Sequence, residues 1–212
     1  MKKFLAKYWV IFMVIGLSLS TVWPVFVPGY FSHHDDLQVM RIFEMRKCFS
    51  DFQIPCRWVP DMGFGYGYPL FNFYAPFPYY LGALASFILG FVGAAKFLFL
   101  LPLVLGGVGM YLLAKEFFGK VAGLAAGVLY LFAPYRALDA YVRGAVGESF
   151  ALSLIPFVFY FFLKLIKVKE RKYFVWATLS TAAFITSHNI MTYIFTPLIV
   201  LWILLWLHKN NW

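Results

Sequence analysis

Residues 28–80 read PGYFSHHDDLQVMRIFEMRKCFSDFQIPCRWVPDMGFGYGYPLFNFYAPFPYY. This is the one long stretch of the chain that is not a plain apolar span. It holds two of the four histidines and five of the nine carboxylates, so the polar chemistry is concentrated here. Ser32-His33-His34-Asp35 fits the Ser-x-x-acid signature of a helix start. From Asp35 to Phe52 the apolar residues Val39, Ile42, Met45, Phe49 and Phe52 recur every three or four positions, with Gln38, Arg41, Glu44 and Lys47 between them. That spacing predicts an amphipathic helix too polar to span, lying in a membrane interface and stopped by Ile54-Pro55. Gly63, Gly65 and Gly67 form no dinucleotide fingerprint, because no strand precedes them and no long helix follows directly. They let the backbone turn tightly among Tyr66, Tyr68, Phe71 and Tyr74.

Working outward, the chain is 63% hydrophobic and 13% charged, where soluble domains are roughly half apolar and a quarter charged. Apolar runs of span length recur at about 8–27, 97–114, 121–135, 149–166, 173–189 and 191–208, with a shorter one at 77–92. Backbone polar groups in lipid must be paired internally, so these runs are helices, and no alternating barrel strands are present. The first run is longer than a signal h-region and lacks a clear small-residue cleavage site, so it reads as a retained anchor. The net charge of +9 could point to nucleic acid or anionic lipid, but its distribution favours neither as a primary function, and no nucleic-acid partner is expected.

Lys and Arg prefer cytoplasmic loops. The clusters Lys2/Lys3/Lys7, Lys115/Lys120, Lys164/Lys167/Lys169/Arg171/Lys172 and Lys209 fall on one side only if 77–92 does not cross. The expected fold is therefore an all-α membrane protein of about six transmembrane helices with both termini cytoplasmic. Residues 1–27 form the anchor span, 28–96 an external loop with juxtamembrane and re-entrant helices, and 97–208 a five-span bundle. The 28–80 loop, the 135–148 connection and Ser187-His188-Asn189 then share the outer face. Cys48 and Cys56 lie in the same loop, where a disulfide and two free thiols are both open readings.

Asp35 and Asp36 are candidate catalytic acids. A helix cap and a dipole partner explain one of them, whereas two adjacent acids preceded by two histidines exceed what a cap needs. A carboxylate near an apolar interface can act as a general base, or hold a divalent metal such as Mg or Mn with His33 or His34. Arg57 offers a planar fork for phosphate, or simply snorkels beside Trp58. Asp139, Arg143 and Glu148 alternate in sign in a short link, either as a solvated ion-paired loop or as a phosphate site to which Arg136 would contribute. Glu148 opens an apolar run, where a charge at membrane depth marks a functional candidate. His188 ends a span, a place more often held by a hydrogen-bonded core histidine.

The run His34-Asp35, Arg41, Pro55-x-Arg57-Trp58, Gly65-Tyr66-Gly67-Tyr68-Pro69, Tyr135-Arg136, Asp139-x-Tyr141-x-Arg143-Gly144, Glu148 and Ser187-His188-Asn189 resembles bacterial and archaeal membrane proteins labelled 6-pyruvoyl-tetrahydropterin synthase-related. These in turn look like the GT-C class of membrane glycosyltransferases. Nothing in the chain looks like the soluble pterin enzyme. The resemblance implies a sugar donor on a polyprenyl phosphate and transfer to an acceptor at the outer face of a prokaryotic plasma membrane. It makes Asp35, Asp36 and Glu148 catalytic candidates, and His34, Arg57, Tyr68, Asp139, Arg143 and His188 substrate-binding ones. GT-C enzymes have more spans than this chain, which suggests an N-terminal module acting with a C-terminal portion or partner subunit. The rival readings are a transporter or scaffold subunit, and a lipid-carrier binding module. The spans lack mid-membrane acids, which favours the enzyme.

Overall fold

A computed structural model describes residues 2–210, with side chains from 8 onward. Among these residues the regular structure is helical, with irregular stretches over about 27–37 and 51–69 and one isolated antiparallel bridge between Val59 and Tyr68. Helix α1 (Lys2–Thr21) leads into a 3-10 turn, Trp23–Phe26, and then α2 (Gln38–Ser50) and α3 (Leu70–Phe73). The long α4 (Phe77–Leu131) is followed by α5 (Pro134–Ala137) and a π-helical turn, Leu138–Arg143. Helices α6 (Val146–Val168), α7 (Arg171–Ile185) and α8 (Asn189–Lys209) complete the chain. Three of these, α4, α6 and α8, are long and apolar enough to cross a membrane.

Helix α4 has 55 residues, roughly 80 Å at 1.5 Å per residue if straight, far more than the ~30 Å hydrocarbon core of a bilayer. It does not run straight. Gly90 and Gly119 take φ of 67° and 80° inside it, conformations open to glycine and strained for other residues. The breaks leave segments 77–89, 91–118 and 120–131. Segment 77–89 lies along α2, with Gly82 against Ile42 and the Arg46 guanidinium donating to the Ser86 carbonyl at 3.3 Å. Segment 120–131 folds back on 91–118, so that Gly127 abuts the Gly107 carbonyl and Gly123 abuts Lys115.

Contacts between helix ends give the bundle two chemically different poles. At one, the Tyr141 hydroxyl donates to the Thr21 carbonyl, the Phe77 N–H to the Thr186 carbonyl at 3.1 Å, and Asn189 Nδ2 to the Phe73 carbonyl at 2.9 Å. This pole gathers 28–76, 134–145 and the α7–α8 turn. At the other, Lys164 pairs with Glu116 at 3.3 Å and the Lys167 ammonium lies 4.5 Å from the Trp206 ring centroid. The main core sits at the first pole. There Ile42 and Met45 of α2 pack with Tyr79, Leu98, Phe99 and Leu103 of α4 and Phe150 of α6.

Helix α2 departs from its sequence reading in two ways. It begins at Gln38 with Leu37 at the cap position and no capping side chain, so Ser32 and Asp35 do not form the expected start. Its buried face includes Gln38, Arg41 and Glu44 beside Ile42, Met45 and Cys48, while Leu37 and Phe43 are exposed. The polar stripe therefore faces protein together with Ile42 and Met45, and the outward side carries Leu37 and Phe43, which belong to neither stripe, as a helix held between a polar pole and lipid allows. Just beyond it, Cys48 and Cys56 form a disulfide across a Cα–Cα distance of 5.6 Å. Peptide mapping of protein purified from membranes without reductant should recover the Cys48–Cys56 linked peptide. Full alkylation of both thiols before reduction would exclude it.

Candidate functional site

The site is assembled by pairing two segments more than 100 residues apart. The N–H of His34 donates to the Val142 carbonyl and that of Asp35 to the Arg143 carbonyl, both at 2.9 Å. Gly144 makes the seating possible. Its φ is +68°, and a Cβ there would lie 2.0 Å from Cδ2 of the His33 ring. The Gln38 amide clamps the same junction by donating to the Gly144 carbonyl at 2.7 Å and accepting from the Tyr79 hydroxyl at 2.7 Å.

On the α2 side, Asp35 Oδ2 accepts from Arg41 Nη1 at 2.7 Å, Tyr74 Oη at 3.1 Å and Gln38 Nε2 at 3.2 Å. Burial alone would push this carboxyl up, but the Arg41 guanidinium and the hydroxyl and amide bonds hold it below its ordinary value. It is ionised at neutral pH, and among the described residues Oδ1 has no partner. Asp36 and His34 are exposed. Asp36 borders an apolar groove with Leu37, Met40, Phe43 and Phe91.

On the α6 side, Arg143 Nη1 donates to Glu148 Oε2 at 2.7 Å, Asp139 Oδ1 at 2.9 Å and Tyr135 Oη at 2.9 Å. The Tyr135 hydroxyl in turn donates to Glu148 Oε1. One guanidinium nitrogen thus carries three contacts, and the half-exposed Arg143 keeps Nε and Nη2 uncommitted. Asp139 is fully buried and its Oδ2 has no partner. Burial, then the neighbouring Glu148 charge, raise its pKa to about 7 against the opposing pull of Arg143 and Arg136.

A cleft of about 190 Å³ opens beside this cluster, lined by Phe73, Tyr74, Glu148, Ser187, His188 and Asn189 among others. His188 caps α8 by accepting the Met191 N–H on Nδ1 at 3.2 Å, which leaves Nε2 as the N–H of the neutral ring. Burial lowers the His188 pKa and so favours that neutral form. A family model described as the 6-pyruvoyl-tetrahydropterin synthase related domain, membrane protein, matches residues 71–211. The chain belongs to this family. It is also 22% identical over 217 residues to an uncharacterized protein of Lactococcus lactis subsp. cremoris (strain MG1363), an alignment covering 99% of the chain and 35% of that protein. The chain thus spans about a third of that relative's length.

In this 6-pyruvoyl-tetrahydropterin synthase related membrane protein, the structure brings Asp139, Arg143, Glu148 and His188 to one place and ties Asp35 to it through Tyr74 and the backbone pairing. It does not bring Arg57 or Tyr68 to the cleft. Arg57 is exposed, with its N–H on Gln53 Oε1 at 2.7 Å, and Tyr68 pairs with Val59 in a separate hairpin. Arg136 is buried under the cluster, donating to the Pro102 carbonyl and Ser153 Oγ at 2.9 Å each, so it is no surface phosphate ligand. Gln38 and Tyr79 join the site although the sequence shows them only as helix polarity and as part of an apolar run, and Arg41 stands in the sequence only as helix polarity and within the family-like run. The three-residue spacing of Gln38, Arg41 and Glu44 equally suits a solvent face.

Two measurements probe this geometry. Gly144→Ala should lower stability by about 1–3 kcal/mol through backbone strain and the His33 contact, read as a drop in thermal midpoint in detergent; an unchanged midpoint would mean the two segments are not seated this way. Asp139 binds its proton more tightly folded (about 7) than at its ordinary value of 3.8, so the folded state carries the extra proton between these values. Its contribution to stability is therefore greatest below about pH 4 and is lost as pH rises through 7. Asp139→Asn should flatten the midpoint-versus-pH curve over that window, and parallel curves for parent and variant would assign the titration to another group.

Proposed function

We propose that this chain is the membrane module of a GT-C-like glycosyltransferase that moves a sugar from a polyprenyl-phosphate carrier to an acceptor hydroxyl. One observation carries the reading. The Asp35 N–H to Arg143 carbonyl bond joins the segment that carries an ionised carboxylate held by Arg41 to the segment that carries the half-exposed Arg143 guanidinium. In the proposed reaction the acceptor oxygen attacks the anomeric carbon and its bond to the carrier phosphate breaks. The acceptor proton passes to Asp35, and the leaving phosphate takes its charge to Arg143 Nε and Nη2, the electrostatic task such donors perform. Asp36 is the exposed alternative base, and Glu148 and Asp139 orient Arg143. His188 Nε2–H and Phe73 line the cleft where a sugar would lie. Among the described residues no group of three His, Cys, Asp or Glu side chains is placed to hold a metal ion, and Asp139 and Glu148 already share Arg143, so no step is assigned to Mg or Mn.

The proposal places the polar pole outside and both termini in the cytoplasm, with six traverses: α1, 91–118, 120–137, α6, α7 and α8. Segment 77–89 stays in the interface along α2. The separation of the poles supports this, because Lys115, Lys164, Lys167 and Lys209 lie opposite Asp35 and Glu148. A second reading, a carrier-binding module without catalysis, draws on the ion pairs that already occupy Asp35, Asp139 and Glu148.

Impermeant thiol labelling should reach Phe64→Cys and Val142→Cys from outside the cell, and Lys169→Cys only after the membrane is opened; cytoplasmic labelling at 142 would invert the arrangement. In proteoliposomes supplied with a polyprenyl-phosphate sugar, Asp35→Asn or Asp36→Asn should slow release of the carrier phosphate roughly 10²-fold or more, the scale of general-base loss. Arg143→Ala should slow it as well. Carrier binding retained with parent-rate turnover in both Asn variants would remove the acids from catalysis, and binding without turnover in the parent itself would favour the second reading.

A further inference from the structure

The pole opposite the cleft carries a second feature that sugar transfer does not use. Lys167, in the last turn of α6, places its ammonium 4.5 Å from the Trp206 ring centroid and 5.6 Å from that of Phe117. Lys209, in the last turn of α8, places its own 5.0 Å from the same Trp206 ring. Two ammonium groups from different helices thus lie against one indole. The carboxylates at this pole are engaged elsewhere, Glu116 by Lys164 and Glu170 by Lys172. The helix C-termini and the aromatic faces each draw an ammonium in, and among the described residues no carboxylate pairs with either.

At Lys209 runs a groove of about 660 Å³ lined by Trp202, Leu205, Trp206, His208 and Lys209, and Lys167 reaches it only through the Trp206 ring that both lysines touch. Phe117 meets both indoles, with centroids 5.9 Å from Trp202 and 5.8 Å from Trp206. Trp202 Nε1 is spent on the Phe159 carbonyl at 3.1 Å, whereas Trp206 Nε1 has no partner among the described residues. The groove is therefore apolar along Trp202 and Leu205, cationic at Lys209, with a second ammonium, that of Lys167, against its Trp206 wall and one indole N–H left without a partner among the described residues. From this arrangement we infer that the groove binds a single acidic phospholipid, its phosphate between Lys167 and Lys209 and an acyl chain along Trp202 and Leu205. A soluble anion would meet the cations but leave the apolar lining uncovered. A zwitterionic lipid would cover that lining but bring its own cation to an indole that already has two. Basic pockets between transmembrane helices recognise acidic headgroups by this same combination.

The test is native mass spectrometry of the detergent-purified chain titrated with phosphatidylglycerol and with phosphatidylcholine of matched acyl chains. Phosphatidylglycerol should be retained as a one-lipid adduct in clear preference to phosphatidylcholine. Lys167→Gln with Lys209→Gln should weaken that adduct at least roughly tenfold. Lys167→Arg with Lys209→Arg should keep it, which separates lost charge from a folding defect. Lys120→Gln with Lys172→Gln removes equal charge from the same pole and should leave the adduct near parental strength. Equal retention of the two lipids, equal weakening by the two glutamine pairs, or no weakening by either would overturn the proposal and leave the two lysines as helix-end caps. None of these outcomes bears on sugar transfer at the other pole.

Discussion

Two backbone hydrogen bonds, from the N–H groups of His34 and Asp35 to the carbonyls of Val142 and Arg143, set the geometry on which the polar pole depends. They join the segment before α2 to the turn before α6 and so unite two acid–arginine sets that sequence keeps far apart. The junction tolerates no side chain at Gly144, where backbone conformation and the His33 ring both demand glycine. Gln38 then locks it from a third direction by bonding the Gly144 carbonyl. Two successive backbone bonds at 2.9 Å fix the register of both segments against each other.

The same logic explains why α2 turns its polar stripe inward. Gln38 and Arg41 find Asp35, Tyr79 and the Gly144 carbonyl on that side. On the outward side Leu37 and Phe43 meet a surface where apolar groups carry no penalty. In water this orientation would be unfavourable, since burying charge without a partner is expensive and exposing aromatics gains nothing. Beside a membrane it satisfies both faces. Not every group at this pole is paired, and the unpartnered oxygens of Asp139 and Glu44 lie where burial lifts both carboxyls above their ordinary range.

The family match begins at residue 71. Asp139, Arg143, Glu148 and His188 therefore lie within the matched region, whereas Asp35 and Arg41 precede it. The Lactococcus relative aligns along 99% of the chain, and so across both halves of the pole. The two poles divide the chemistry. Carboxylates held by arginines, Glu148 among them, gather beside a cleft at one, and lysines stacked on aromatic rings lie by an apolar groove that Lys209 lines at the other.

Composition and run length alone determine that this is a helical membrane protein, because only helices pair their own backbone in lipid and the apolar runs have the length to span. The sequence by itself also marked Asp139, Arg143, Glu148 and His188, since charged side chains at the edges of apolar runs stand out against their surroundings. It could not determine which face of α2 is buried. A stripe of Gln38, Arg41 and Glu44 has the same period whether it meets water or protein, and only the positions of Tyr79, Asp35 and Gly144 in space decide between them. Nor could it choose among the basic side chains. Arg57, Arg136 and Arg143 are alike in a string of letters, yet one is exposed beside the Val59–Tyr68 bridge, one is buried against Pro102 and Ser153, and one pairs with Glu148, which lines the cleft. Those assignments follow from long-range packing, above all from Gly90 and Gly119 breaking one 55-residue helix into segments that return the chain to the pole where the site is built.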